Sequence, residues 1–164
     1  MNLVCLDTHY FTWALLERAT LGQEDMIPKA KALLKRLDDT KAIVVVPTPI
    51  ITELLMEADV RERDKILAVM NERFHVVEFN TLAAKLAADV WNTKKRAGVI
   101  DAIKKSGESM RTKIKIDTLI LGSALAENVG VLYTQDGNLA KLADGLMVVA
   151  TMPEIYVDQD LFNP

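Results

Sequence analysis

Hydrophobic residues along the chain follow two alternating patterns. Short β-branched runs predict strands, and between them apolar residues recur every three or four positions, as in helices with one buried face. The segment Ala42–Val46 is apolar throughout and is followed by Pro47, which is typical of a parallel strand buried on both faces. The predicted strands are Asn2–Leu6, Ala42–Val46, His75–Phe79, Val131–Thr134 and Leu146–Thr151.

The segments between these strands have helical spacing. The predicted helices are Thr8–Thr20, Met26–Leu37, a helix with Thr48 as its N-cap and Pro49 as its first residue, Val60–Asn71, Thr81–Thr93, Asp117–Glu127 and Gly137–Leu142. Strands that alternate with helices form βαβ units. The pattern therefore predicts an α/β fold with three layers, α/β/α, and a central parallel sheet of about five strands.

The length of 164 residues corresponds to one domain, which we expect to span residues 1–150, with residues 151–164 as a C-terminal tail. Half of the residues are hydrophobic and 26% are charged, as in globular proteins. No apolar run is long enough for a transmembrane helix, and the N-terminus lacks the basic start of a signal peptide. The single cysteine, Cys5, excludes an internal disulfide, so we expect a cytoplasmic protein without membrane contact.

The net charge of −3 conceals an uneven distribution. Residues 94–116 contain eight basic and two acidic side chains, a local charge of +6 that leaves −9 for the remainder of the chain. The basic residues are Lys94, Lys95, Arg96, Lys104, Lys105, Arg111, Lys113 and Lys115. Such a segment is either a solvated helix face or a binding surface for a polyanion.

Four acidic residues fall where an α/β fold places its ligands, at the carboxyl ends of the strands. Asp7 directly follows the first predicted strand and Asp136 follows the fourth. Asp117 opens a predicted helix, and Glu53 lies early in the helix after Ala42–Val46. Each aspartate could also be a helix cap or turn residue, and Glu53 a surface residue, but all four could instead share one rim of the sheet.

Carboxylates gathered in one pocket require a proton or a cation between them. Two like charges about 4 Å apart repel by about 4 kcal/mol at an effective dielectric constant near 20. Oxygen ligands without suitably spaced histidine or cysteine favour Mg²⁺ or Mn²⁺. A divalent ion held in this way can neutralise a phosphate and activate water, which is the chemistry of phosphodiester cleavage.

Three segments of the sequence resemble the PIN domain: LDTHYF, PTPIITEL and KIDTLILGSALAENVGVLYTQD. The resemblance covers about residues 2–150, and the three segments follow one another in the same order as the motifs of a PIN domain. It implies an acidic quartet that serves as both catalytic and metal-binding residues: Asp7, Glu53, Asp117 and Asp136. Further supporting residues implied by the motif are Thr8, which follows the first acid, Thr134, which helps to hold the last acid, and Asn138 nearby.

The resemblance also implies an activity and partners. PIN domains of this kind are Mg²⁺- or Mn²⁺-dependent endoribonucleases, and many bacterial members are VapC-type toxins that are inhibited by an antitoxin and are commonly homodimers. For this chain we therefore expect an RNA substrate, an antitoxin protein as partner and a homodimer. Five cations precede Asp117 along the chain and are predicted to line an RNA-binding groove: Lys104, Lys105, Arg111, Lys113 and Lys115.

Two other functions remain open from the sequence. One is a PIN-like scaffold that binds without catalysis, although all four acids are present. The other is a different Mg²⁺-dependent phosphoryl-transfer domain. Position 9 is a histidine where a haloacid-dehalogenase-type phosphatase requires aspartate, and the first turn, DTHYFT, lacks the glycines of a Rossmann or P-loop enzyme.

Overall fold

The computed structural model describes residues 2–107 and 110–154, and within them the chain forms five strands and eight helices. The strands are β1 (Leu3–Leu6), β2 (Ile43–Pro47), β3 (His75–Val77), β4 (Val131–Tyr133) and β5 (Val148–Ala150). The helices are α1 (Thr8–Phe11), α2 (Met26–Asp39), α3 (Thr48–Glu57), α4 (Val60–Arg73), α5 (Thr81–Arg96), α6 (Val99–Lys104), α7 (Met110–Ala126) and α8 (Gly137–Ala143). Of the predicted tail, residues 155–164 lie outside the described ranges.

All five strands are parallel and lie in the order β3-β2-β1-β4-β5. The chain winds outward from β1 in one direction through β2 and β3, and in the other through β4 and β5. Right-handed crossovers in opposite directions place their helices on opposite faces, which gives the predicted three-layer α/β/α fold. The order reverses between β1 and β4, and open α/β sheets bind their ligands at such a reversal, outside the carboxyl ends of the strands.

All five predicted strands are present, with ends that differ by up to two residues. Pro47 belongs to β2 instead of ending it. This is possible because β1 pairs with β2 only as far as Val45, so the missing N–H of Pro47 faces no strand on that side. As a result Thr48 is the first residue of α3 and not its N-cap, which corrects the prediction.

The predicted helix Thr8–Thr20 is also wrong in its length. α1 ends at Phe11, a wider π-helical turn spans Thr12–Leu16, and Glu17 then adopts a left-handed conformation with φ of 53°. A contact distant in sequence accounts for this ending. Arg18 donates to the backbone carbonyl of Glu57 at 2.6 Å and pairs with Glu62 at 2.8 Å, which draws the chain toward α3 and α4.

The largest correction concerns Asp117, which was predicted to open a helix. α7 includes Met110 and runs to Ala126, so Asp117 lies near its middle and is buried. The helix extends through the basic segment because Ile114 continues the buried face toward Ile120 and Leu121. A helix N-terminus would have offered an acid backbone N–H groups, whereas a mid-helix position offers none.

α7 lies at the centre of the helical packing, and its most extensive contact is with α5. Gly122 allows this contact: a Cβ atom there would lie 2.4 Å from the carbonyl oxygen of Ala83 and 2.7 Å from the Cβ of Ala87. The two helices therefore approach at backbone distance. Within the described ranges, no helix has both the length and the hydrophobicity required to cross a membrane.

We expect Gly122→Ala to destabilise the protein by about 2 kcal/mol or more, because the added methyl group would overlap backbone atoms of α5. In an open helix position the same substitution stabilises by about 1 kcal/mol. Gly137→Ala is the matched control, because Gly137 begins α8 and a Cβ there meets no atom within 4 Å. Urea unfolding of both variants measures the two effects, and equal changes would contradict the close approach.

Candidate functional site

The site begins with the two acids that follow β1 and β4. Asp7 comes directly after β1, and its backbone N–H donates to the carbonyl oxygen of Tyr133 at 2.9 Å, which extends the pairing of the two strands. Asp136 comes three residues after β4 and is the N-cap of α8. The fold therefore brings both acids to the point where the strand order reverses.

Thr134 connects these two acids. Its hydroxyl donates to Asp7 Oδ2 at 2.8 Å and accepts from the backbone N–H of Asp136 at 2.9 Å. Thr134 is 2% exposed and Asp7 is 6% exposed, so the bridge lies out of water. The other oxygen of Asp7 accepts from the backbone N–H of Thr8 at 2.7 Å, so both oxygens are held in place.

Glu53 reaches the same rim from α3. The hydroxyl of Thr8 donates to Glu53 Oε2 at 2.5 Å, and this contact joins α3 to the residue after Asp7. Burial raises the pKa of Glu53, the Thr8 bond lowers it and the charge of Asp7 raises it further. The net increase shows that Glu53 carries its negative charge in an unfavourable environment.

Of the four acids, Asp117 has the least favourable environment for a negative charge. It is 5% exposed, and its Oδ2 atom is buried without a hydrogen-bond partner in the described part of the chain. Burial is the largest cause of the rise of its pKa to about 8, followed by the charge of Asp7. Asp136 and Glu53 raise the pKa as well, whereas Lys113 lowers it. A buried carboxylate in this position favours a proton or a cation beside it.

Lys113 lies one helical turn before Asp117 and forms an ion pair with Asp136 Oδ2. Burial acts to lower the pKa of Lys113, but the hydrogen bond and charge of Asp136, with the charges of Asp117 and Asp7, raise it overall. Burial likewise acts to raise the pKa of Asp136. The Lys113 bond and the backbone N–H groups of Asn138 and Leu139 outweigh that effect, so the pKa is lowered.

The four acids fit a hard divalent ion in their chemistry. Their donors are all oxygens, and the orphaned Oδ2 of Asp117 is an atom that a cation would satisfy. No three His, Cys, Asp or Glu side chains form a ready metal-binding group in residues 2–107 and 110–154. Three of the four carboxylates already have side-chain partners: Asp136 pairs with Lys113, Glu53 accepts from Thr8, and Asp7 accepts from Thr134.

The other predicted site residues are more scattered. The side-chain amide of Asn138 contacts the sulfur of Met110 at 3.7 Å, and only its backbone N–H reaches Asp136. The ammonium of Lys104 lies over the ring of Trp91, 5.3 Å from its centre. Three of the predicted RNA-binding cations are exposed: Lys105, Arg111 and Lys115.

Two residues beside the site are not among the predicted site residues. Glu57 lies one turn after Glu53, accepts from the hydroxyl of Thr12 at 2.8 Å, and raises the pKa of Glu53 and of His9. His9 Nδ1 is 3.6 Å from Asp7 Oδ2, and this contact with Asp7 is the main cause of its raised pKa. The signal for Glu57 was the four-residue spacing of Glu53 from Glu57, matched by the spacing of Thr8 from Thr12.

Comparison with known proteins gives no match in sequence but clear matches in structure. No family model matches the chain, and neither does any curated protein sequence. The VapBC2 complex of Rickettsia felis, bound to a DNA fragment from its promoter, contains a chain that matches with a TM-score of 0.62 and 13% identity. That match covers 92% of this chain and 99% of the other.

Two further structures agree with this match. A chain of DNA-bound VapBC from Salmonella typhimurium matches with a TM-score of 0.57 and 18% identity, over 93% of this chain and 100% of the other. A chain of FitAcB from Neisseria gonorrhoeae matches with a TM-score of 0.57 and 15% identity, over 89% and 95%. At such low identities the similarity concerns the fold, and it agrees with the motifs that resemble a PIN domain. The chain therefore has a PIN-like fold of the VapC type.

Proposed function

We propose that the chain is a Mg²⁺- or Mn²⁺-dependent endoribonuclease whose catalytic and metal-binding residues are Asp7, Glu53, Asp117 and Asp136. One observation carries most of the proposal: the buried Asp117 Oδ2 atom has no partner in the described residues, while the charges of Asp7, Asp136 and Glu53 all act on it. A structural carboxylate would be expected to have a donor, whereas a metal ligand needs an open oxygen.

The four acids and two threonines would have different roles in metal binding. Asp7 and Asp117 would hold the ion from the buried side, and Glu53 and Asp136 from the partly exposed rim. Thr134 and Thr8 keep Asp7 and Glu53 oriented, so that their oxygens need little rearrangement. The bound ion would supply charge neutralisation at the scissile phosphate and a more acidic water.

Like-charged phosphates must approach this acidic rim, and nearby cations offset the repulsion. The exposed side chains Lys105, Arg111 and Lys115 lie before Asp117: Lys105 directly follows α6, and Arg111 and Lys115 lie in the first turns of α7. The N-terminal end of α7 and the acids share the carboxyl edge of the sheet, because α7 runs back toward the start of β4. We propose that these three residues bind the RNA backbone.

The fold similarity also supports a biological role. The matched chains come from VapBC and FitAB complexes, which are toxin–antitoxin pairs. We therefore propose that this chain is the toxin of such a pair, that it acts in the cytoplasm, that an antitoxin protein binds it, and that it forms a homodimer. The domain would span residues 1–150.

The first prediction from this function concerns cleavage. Asp117→Asn should reduce Mn²⁺-dependent cleavage of RNA by about 100-fold or more, because the amide keeps the volume but removes the charge that holds the ion. Asp38→Asn is the matched control, since Asp38 is exposed near the end of α2, at the opposite edge of the sheet. A gel assay with labelled RNA and purified proteins measures both rates.

Equal cleavage by the parent and Asp117→Asn would show that the site is assigned wrongly. Absence of cleavage by the parent at any Mn²⁺ concentration would instead favour the catalytically silent scaffold. The control variant shows whether a loss of cleavage is specific to Asp117 or follows from replacing any aspartate.

The second prediction concerns stability against pH without metal. Asp117 titrates near 3.9 when unfolded and at about 8 when folded, so the folded state binds more protons between these values. The free energy of unfolding should therefore fall as the pH rises from about 4 to about 8. In EDTA at about pH 9, Asp117→Asn should melt roughly 5 °C or more above the parent, a difference that shrinks below about pH 5.

The same melting curves test cation binding. At about 100 times its dissociation constant, Mn²⁺ should stabilise the parent by about 2.7 kcal/mol, a rise of roughly 5–10 °C. Asp117→Asn should lose most of this rise. A parent protein whose melting temperature ignores both pH and Mn²⁺ would contradict a strained, metal-binding Asp117.

The third prediction concerns RNA binding. Arg111→Ala combined with Lys115→Ala should weaken RNA binding and reduce the slope of log affinity against log salt by about 1.4, since each phosphate contact contributes about 0.7. Fluorescence anisotropy with a cleavage-dead variant in Ca²⁺ measures this slope. The matched control is Lys35→Ala with Arg36→Ala, near the end of α2. If both pairs change the slope equally, the basic segment is only a solvated face.

A further inference from the structure

Lys113 is the cation nearest to the acids of the site, and it is tethered to the same helix as Asp117. Its ammonium pairs with Asp136 Oδ2, the oxygen that is not used to cap α8. The side chain of Asp136 is only 12% exposed and that of Lys113 is 37% exposed. The ammonium therefore closes the open side of Asp136 and still faces solvent itself.

A second observation concerns the negative charges near the Lys113 ammonium. Asp136, Asp117 and Asp7 all lie near enough for their charges to act on Lys113. Lys113 thus already supplies positive charge to these carboxylates, through direct contact with Asp136 and at longer range to the other two. The oxygen of Asp136 that Lys113 occupies is also the one that must turn to a divalent ion, because Oδ1 accepts backbone N–H groups at 2.8 and 3.3 Å.

We propose that Lys113 is a built-in competitor of the divalent cation: its ammonium neutralises the acids in the metal-free protein and must leave Asp136 for the ion to bind. This inference rests on the proposed metal site and adds a device that sets its affinity. The competition weakens cation binding and keeps the empty site folded, so the site fills only at a higher ion concentration.

The path of displacement is short. The lysine side chain has four methylene groups and only its head is fixed at Asp136, so the ammonium can swing outward into solvent without any change in α7. It would then lie beside the occupied site, where a phosphate approaches. The helix backbone and the burial of Ile114 and Asp117 stay as they are.

The test is Mn²⁺ binding, measured by calorimetry and by the spin resonance signal of unbound Mn²⁺, without RNA. Lys113→Met keeps the length and helix propensity of the side chain and removes its charge. We expect it to bind Mn²⁺ about tenfold or more tightly than the parent, which is the range for losing one charge-assisted bond from a competing partner. Its metal-free melting temperature should fall and its rise with Mn²⁺ should grow.

Two variants serve as controls. Lys113→Arg retains the charge and pairs well with a carboxylate, so its Mn²⁺ affinity should stay as weak as that of the parent or fall. Lys141→Met removes the same charge from an exposed position in the last turn of α8, the helix that Asp136 caps. Its affinity should change by no more than about twofold, since solvent screens that charge.

The outcomes separate this inference from the proposed function. If the parent binds Mn²⁺ through Asp117 and Lys113→Met binds it equally well or more weakly, the competition is refuted while the metal site stands. Equally tighter binding by Lys141→Met would reduce the effect to net charge and also refute it. If neither the parent nor Lys113→Met binds Mn²⁺, both the inference and the metal site are refuted.

Discussion

The burial of Asp117 among other carboxylates is the constraint on which the rest of the site depends. A charge that lies in the middle of a helix, away from water and from backbone N–H groups, is unfavourable unless a cation or a proton is near. The chain tolerates it because α7 is anchored elsewhere, through its apolar face and its close approach to α5 at Gly122. The apolar core thus stabilises α7 even though the helix carries the buried Asp117 carboxylate in the candidate site.

Asp7 and Glu53 are held by hydroxyl groups, which carry no charge. Thr134 bridges Asp7 and the backbone of Asp136, and Thr8 reaches Glu53 on α3. Hydroxyl donors orient a carboxylate without neutralising it, so the negative potential of the rim is preserved for a cation. In the proposed function the same acids would repel an approaching RNA strand, and the exposed cations before Asp117 would offset that repulsion.

Lys113 supplies the charge that these hydroxyls do not. Its ion pair with Asp136 lowers the pKa of that acid and opposes the rise in the pKa of Asp117. The carboxylates would then be neutralised in both the metal-free and the metal-bound protein, by a different positive charge in each. In the first the positive charge is tethered to α7, and in the second it comes from solution.

The sequence by itself determined the alternation of strands and helices and the parallel sheet, and it indicated that Asp7 and Asp136 follow strands. Local spacing is sufficient for this, because a β-branched run marks a strand and an acid directly after it must lie at the carboxyl edge. The tertiary structure decided where Asp117 lies in its helix, where the first helix ends and what Lys113 contacts. These depend on partners far along the chain: Ile114 packs into the core, Arg18 reaches Glu57, and Lys113 reaches Asp136. Residue periodicity reports which face of a segment is buried, whereas charge pairing between segments exists only once the fold has brought them together.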